Sequence, residues 1–220
     1  MRHSLPRICV LLALTICAAQ AADESIDRLI NKLPPPQKFV DPAISDPLVK
    51  QINAAAKAHN LGVALDLSRR LAIRYPKSLG AQMVYGISAM SVREFREASD
   101  AYHKAISIRP DFPFAYVGLG ITDAAQNRYS AALSDFRRVT QIAPQLDVGW
   151  IAASACAERL GRMRESLEFA RRGTAAAPTS AGVWIQAARE ENLAGNAPAA
   201  KAATARANQL RRNAPRAKTQ

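Results

Sequence analysis

The stretch PFAYVGLGITDAAQNRYSAALSDFRRVTQIAPQL, residues 113–146, decides the fold. Two apolar-periodic runs of about 14 residues flank the polar turn Asn127-Arg128, a pattern of two facing helices. Pro144 follows the second run, where its missing N–H stops a helix. Outward from this stretch, prolines recur at Pro76, Pro110, Pro144 and Pro178, a constant interval of 34 residues. A fixed interval of that size calls for a search for self-similarity. In the same register Trp150 aligns with Trp184, with Tyr116 one interval earlier and Leu48 at the start. Ala64, Ala98, Ala132, Ser166 and Ala200 form a second column, Tyr102 and Phe136 a third, and Gly86 and Gly120 a fourth. Four columns in one register do not arise by chance in a chain with 13 prolines and 2 tryptophans.

These columns resemble the tetratricopeptide repeat, whose pattern is W-x2-L-G-x2-Y, then A-x3-F, then P. The best match is Tyr116-Val117-Gly118-Leu119-Gly120, Ala132-Leu133-Ser134-Asp135-Phe136 and Pro144. The unit before it carries Gly86, Ala98, Tyr102 and Pro110, with Gln82 in place of the first large residue. The unit after it keeps Trp150 and Pro178 but has Ser154, Ser166 and Ala170 where glycine, alanine and an aromatic belong. The first unit keeps Leu48, Ala64 and Pro76, with Ser68 at the aromatic position.

The resemblance implies an all-α chain: a right-handed superhelical solenoid of antiparallel helix pairs, with about four repeats and a C-terminal capping pair. The expected units are 45–78, 79–112, 113–146 and 147–180, with the cap at 181–213. Small residues at Gly86, Gly120 and Ala98 let backbones approach, while Tyr102, Phe136 and Trp150 fill the space between pairs. No pair buries its apolar face alone, so the units stack. In the last pair Asn196 and Pro198 mark a helix start. Lys201 and Asn208 replace earlier apolar residues there, as befits a solvating end.

The chain has 220 residues, 49% apolar and 22% charged, which excludes disordered and collagen-like classes. Its start, Met1-Arg2-His3-Ser4-Leu5-Pro6-Arg7, is basic, and an apolar run from Ile8 leads to Ala19-Gln20-Ala21. That is the pattern of an export signal over 1–21, with the mature protein periplasmic or secreted. Its apolar run of roughly 12 residues falls short of the about 20 that span a bilayer. Residues 22–44 are expected to hold a short helix and a Pro-rich linker, and 214–220 a disordered basic tail. With Cys9 and Cys17 in the leader, Cys156 stands alone, so no intrachain disulfide forms in the mature chain.

Catalytic chemistry finds little support. His59 and His103 occupy different phases of the repeat, and no spacing matches a zinc site, a Ser-His-Asp set or a phosphate-cradling loop. The expectation is a protein that is not an enzyme, with no cofactor or metal. In the resembled family the first helix of each pair lines a concave groove. Carried across, the groove residues are Val49, Asn53, Met83, Ile87, Met90, Phe114, Val117, Ile121, Val148, Ile151, Ile185 and Arg189. That surface is almost entirely apolar and suits a protein or peptide segment with apolar anchors, filled by a partner, by a second copy or by the chain's own N-terminal segment.

The net charge of +12 raises anionic partners as an alternative. After Glu191 the sequence carries Lys201, Arg206, Arg211, Arg212, Arg216 and Lys218 with no acid. The excess therefore gathers in the basic cap and tail. In an exported protein that favours contact with a polyanion or an anionic envelope surface over nucleic acid. The leading expectation is a non-catalytic interaction scaffold or assembly factor in the bacterial envelope.

Overall fold

In the computed structural model, which describes residues 41–213, every helix but the first starts in the 34-residue register of the repeat. The expected export signal, the N-terminal helix and proline tract, and the basic tail lie outside the described residues. The described part is all-helical and falls into two compact units, one ending at Ile108 and one beginning at Arg109.

The first unit contains α1 (Pro47–Lys57), α2 (Leu61–Arg74), α3 (Leu79–Ser91) and α4 (Phe95–Ile108). The second contains α5 (Pro113–Ala125), α6 (Tyr129–Ile142), α7 (Asp147–Arg159), α8 (Met163–Ala176), α9 (Ala181–Leu193) and α10 (Ala197–Asn213). The second helices α2, α4, α6, α8 and α10 start at intervals of 34 residues, and so do the first helices from α3 to α9. Within each unit, every helix packs against its neighbours in sequence.

The turn inside each pair rests on one residue with left-handed backbone. These are His59 (φ 57°), Arg93 (φ 68°), Asn127 (φ 62°), Gly161 (φ 73°) and Gly195 (φ 77°), again 34 apart. Glycine and asparagine adopt this conformation readily, whereas a side chain with a full Cβ pays about 1 kcal/mol or more. The prolines sit two residues past the ends of α2, α4, α6 and α8, as the sequence requires.

The tight column is confirmed at atomic scale, with one correction. A Cβ on Gly86 would lie 2.8 Å from the Tyr102 ring, and one on Gly120 would lie 2.9 Å from the Phe136 ring. Tyr102 and Phe136 thus fill the space within a pair, α3 against α4 and α5 against α6, rather than between pairs. Trp150 does the same for α7 and α8: a Cβ on Gly173 would meet its side chain at 2.8 Å, and its ring stands 6.4 Å from that of Phe169.

A second correction concerns the linker expected up to residue 44. Asp41 and Ala43 are buried, and Ala43 joins a core cluster with Leu48, Ile52, Leu71 and Ala81. Asp41 fastens this segment, since its carboxylate accepts from Ser78 Oγ at 2.5 Å, Gly80 N at 2.6 Å and Ala43 N at 3.0 Å. Asp46 caps α1 by accepting from Leu48 N at 2.8 Å, with Pro47 at the first helical position. The end of the expected linker, from Asp41, is thus a folded entry to α1. At the other end α10 is as expected: its buried residues are Ala203 and Ala207, and Lys201 and Asn208 face solvent.

Candidate functional site

In the second unit the first helices lie side by side, α7 touching both α5 and α9. Their shared face carries the positions expected to bind a partner. Phe114 on α5 and Val148 and Ile151 on α7 are half-buried, and Ile185 on α9 is 50% exposed. Ile151 leans onto Gly182 of α9, where a Cβ would stand 2.9 Å from its terminal methyl. Beyond these apolar residues Arg189 of α9 donates to Glu158 of α7 at 2.7 Å, an ion pair joining the two first helices. Arg159, next in sequence, donates to Tyr129 Oη at 2.9 Å and stacks 5.0 Å above that ring.

In the first unit the matching positions are Val49 and Met83, half-buried, with Asn53 exposed and Ile87 41% exposed. Three expected groove residues belong elsewhere. Met90, Val117 and Ile121 are buried, at 8%, 4% and 5% exposure, so they are core rather than a surface a partner meets. Val117 and Ile121 lie on α5, most of which is buried between Pro113 and Asp123, and Met90 is among the buried residues of α3. The column holding Met83, Val117, Ile151 and Ile185 therefore has one spacing in sequence but ranges from buried through half-buried to exposed. Within the second unit it opens progressively, from buried Val117 through half-buried Ile151 to exposed Ile185.

The basic cap residues Lys201, Arg211 and Arg212 are exposed on α10, and Arg206 donates to Gln209 at 2.8 Å. Cys156 is buried in α7, and burial pushes its thiol up to about 12, far from a reactive thiolate at neutral pH. His59 and His103 are exposed, on the α1–α2 turn and on α4. Among the described residues no group of three His, Cys, Asp or Glu side chains is placed to hold a metal ion. No helix among them is long and apolar enough to cross a membrane.

Three features escaped the sequence reading. The first is a hydrogen bond repeated in every pair after the first. Gln82, Tyr116, Trp150 and Trp184 donate to the carbonyls of Pro76, Pro110, Pro144 and Pro178 at 3.2, 3.1, 2.7 and 2.9 Å. Gln82, an apparent departure from an aromatic column, keeps its donor. The common property of the column is an N–H or O–H that reaches six residues back, and this was visible in the residue types.

The second feature is an ion pair repeated between second helices. Arg69 of α2 holds Glu97 of α4 at 2.9 Å, and Arg137 of α6 holds Glu165 of α8, with the same spacing in sequence. Tyr85 also donates to Glu97. Its hydroxyl and the guanidinium beside it keep the Glu97 carboxyl below its ordinary range. The third is a set of carboxyls at positions that are small or apolar in neighbouring units. Asp123 is buried and held by Arg128 at 2.5 Å. Burial, with Asp123 nearby, pushes the Asp135 carboxyl up to about 7.

No family model matches the chain, and no curated protein matches it by sequence. Solved structures do share its architecture. A crystal structure of MamA is 12% identical and superimposes with a TM-score of 0.64 over 73% of this chain and 94% of that one. A MamA structure, residues 41 to the end, from Desulfovibrio magneticus RS-1 is 14% identical, with a TM-score of 0.63 over 76% of this chain and 94% of that one. YrrB, described as a TPR protein with an unusual peptide-binding site, is 16% identical, with a TM-score of 0.57 over 87% of this chain and 94% of that one. At such identities the likeness shows the fold, which is that of tetratricopeptide helix pairs.

Proposed function

We propose that this chain of tetratricopeptide-repeat fold is a non-catalytic scaffold that binds a partner segment with apolar anchors on the inner faces of its first helices. The observation that carries this reading is the strip formed by Phe114, Val148, Ile151 and Ile185, left accessible beside the Glu158–Arg189 ion pair. Accessible apolar side chains grouped on one face and rimmed by charge are the usual mark of an interaction site. The peptide-binding site in the description of YrrB supports the reading by analogy of fold. The export signal expected at residues 1–21 would place the work in the bacterial envelope or outside the cell.

The test is selection of peptides from a random library on the full chain. Binding of the selected peptides should fall at least about tenfold in Ile185→Glu or Val148→Glu, and stay unchanged in Ile73→Glu. Ile73 is 72% exposed on second helix α2, so it controls for general surface apolarity. Loss in all three variants, or in none, overturns the inner-face assignment.

A second reading is favoured by one observation: the cations Lys201, Arg211 and Arg212 of α10 are exposed and have no ion-pair partner among the described residues. They suit contact with an anionic envelope surface, and such binding would weaken steeply with added salt.

A further inference from the structure

The second unit contains a buried polar knot that repeat packing does not require. Ser154 and Ser166 stand in the columns where other units have Gly86 and Gly120, and Ala98 and Ala132. Ser154 Oγ donates to the Ser166 carbonyl at 3.0 Å, and Ser166 Oγ returns a bond to the Ser154 carbonyl at 2.9 Å. Gln186 Nε2 donates to Ser154 Oγ at 3.1 Å and to Glu190 Oε1 at 2.9 Å. Glu190 is 1% exposed, and its Oε2 has no hydrogen-bond partner.

Donor accounting determines what this carboxyl is. The Gln186 amide spends its two hydrogens on Ser154 Oγ and Glu190 Oε1, and Ser154 and Ser166 bond to one another. An ionised Glu190 is acceptor-only, so Oε2 would be a buried charged oxygen with no donor, a costly state. A protonated Glu190 carries no charge on that buried oxygen and so escapes the cost. We infer that Glu190 is held protonated in the folded chain and is a pH-sensitive latch fastening α9 to α7 and α8, so that its ionisation as pH rises releases α9 and α10.

The surrounding charges agree. Burial pushes the carboxyl above its usual range, and the Ser166 hydroxyl pulls it back. Glu158 on α7 adds to the rise, while Arg189 and Gln186 on α9 itself oppose it. Arg189 is engaged by Glu158, and α10 meets α9 through Ala203. A carboxyl whose folded value is raised stabilises nothing extra in acid. Its cost appears once the unfolded chain would ionise, and grows until the folded value is passed.

The test is amide hydrogen exchange of the full chain from pH 5 to 9, corrected for intrinsic exchange. Protection in α9 and α10 should fall at least about tenfold more than in α2 as pH rises, and that difference should vanish in Glu190→Gln. Glu190→Thr is the second variant: the same column holds Thr122, whose hydroxyl donates to the Gly118 carbonyl at 2.7 Å. Infrared difference spectra at neutral pH should show a protonated carboxyl band that weakens in Glu190→Gln. Equal pH dependence in native and Glu190→Gln chains, or an unchanged carboxyl band, overturns the latch.

Discussion

Arg93 and His59 occupy backbone positions that Gly161 and Gly195 fill elsewhere in the repeat. The four residues do one geometric job at different conformational cost, so the sequence stores strain in the first unit that the second relieves. Replacing Arg93 with glycine should therefore stabilise the chain by up to about 1 kcal/mol, the left-handed penalty offset in part by the greater freedom of glycine when unfolded. Gly161→Ala should destabilise by about 1 kcal/mol, and its added Cβ has open space, so the effect is purely backbone. Urea midpoints at constant slope measure both. Residues of this kind were half legible. The polar turns Asn127-Arg128 and Gly161-Arg162 could be read from residue type, because those side chains prefer the conformation. Arg93 could not be, because arginine has no such preference and only its place in the repeat holds it there.

At the level of helices, period alone located almost everything: a helix needs only a local pattern, and this chain repeats that pattern. What period could not give is which face stays open. Met83, Val117, Ile151 and Ile185 share a column, yet their burial depends on what each helix packs against, which is a property of position in the array. The acidic neighbours on α9 show the same contrast. Glu190 is forced up in pKa by burial, whereas Glu191 is held below its ordinary range, chiefly by Arg171 at 2.6 Å and also by Asn196. A carboxyl with a lowered folded value stabilises above its unfolded value, and that contribution is lost as pH falls through the folded one. The α8–α9 contact should thus be strongest in mildly acidic solution and weaken on both sides. Glu191→Gln should remove the acid-side loss and leave the alkaline side intact, as read by thermal melts across pH.

Above the single helix, stability should be a sum of local terms, because within each unit every helix packs mainly on its sequence neighbours. Ala203 is buried with Ala170 and Ala187, and aspartate there would bury an unpaired charge. Ala203→Asp should abolish exchange protection in α9 and α10 while leaving α2, α3 and α4 within about twofold of the native chain. Uniform loss of protection throughout would show a single cooperative body instead.

The bond from the fourth residue of each later pair to the preceding proline also has a practical consequence. Its two tryptophan versions hold all the indole of the protein, and both lie in the second unit, one buried at Trp150 and one half-buried at Trp184. The chain is built with an interior and a near-surface fluorophore in adjacent pairs, each with its N–H already engaged by a carbonyl. Its native emission will register events in α7–α10 and pass over α1–α4 in silence. Ligand titrations followed by intrinsic fluorescence can thus tell which unit a guest has reached without any label being added.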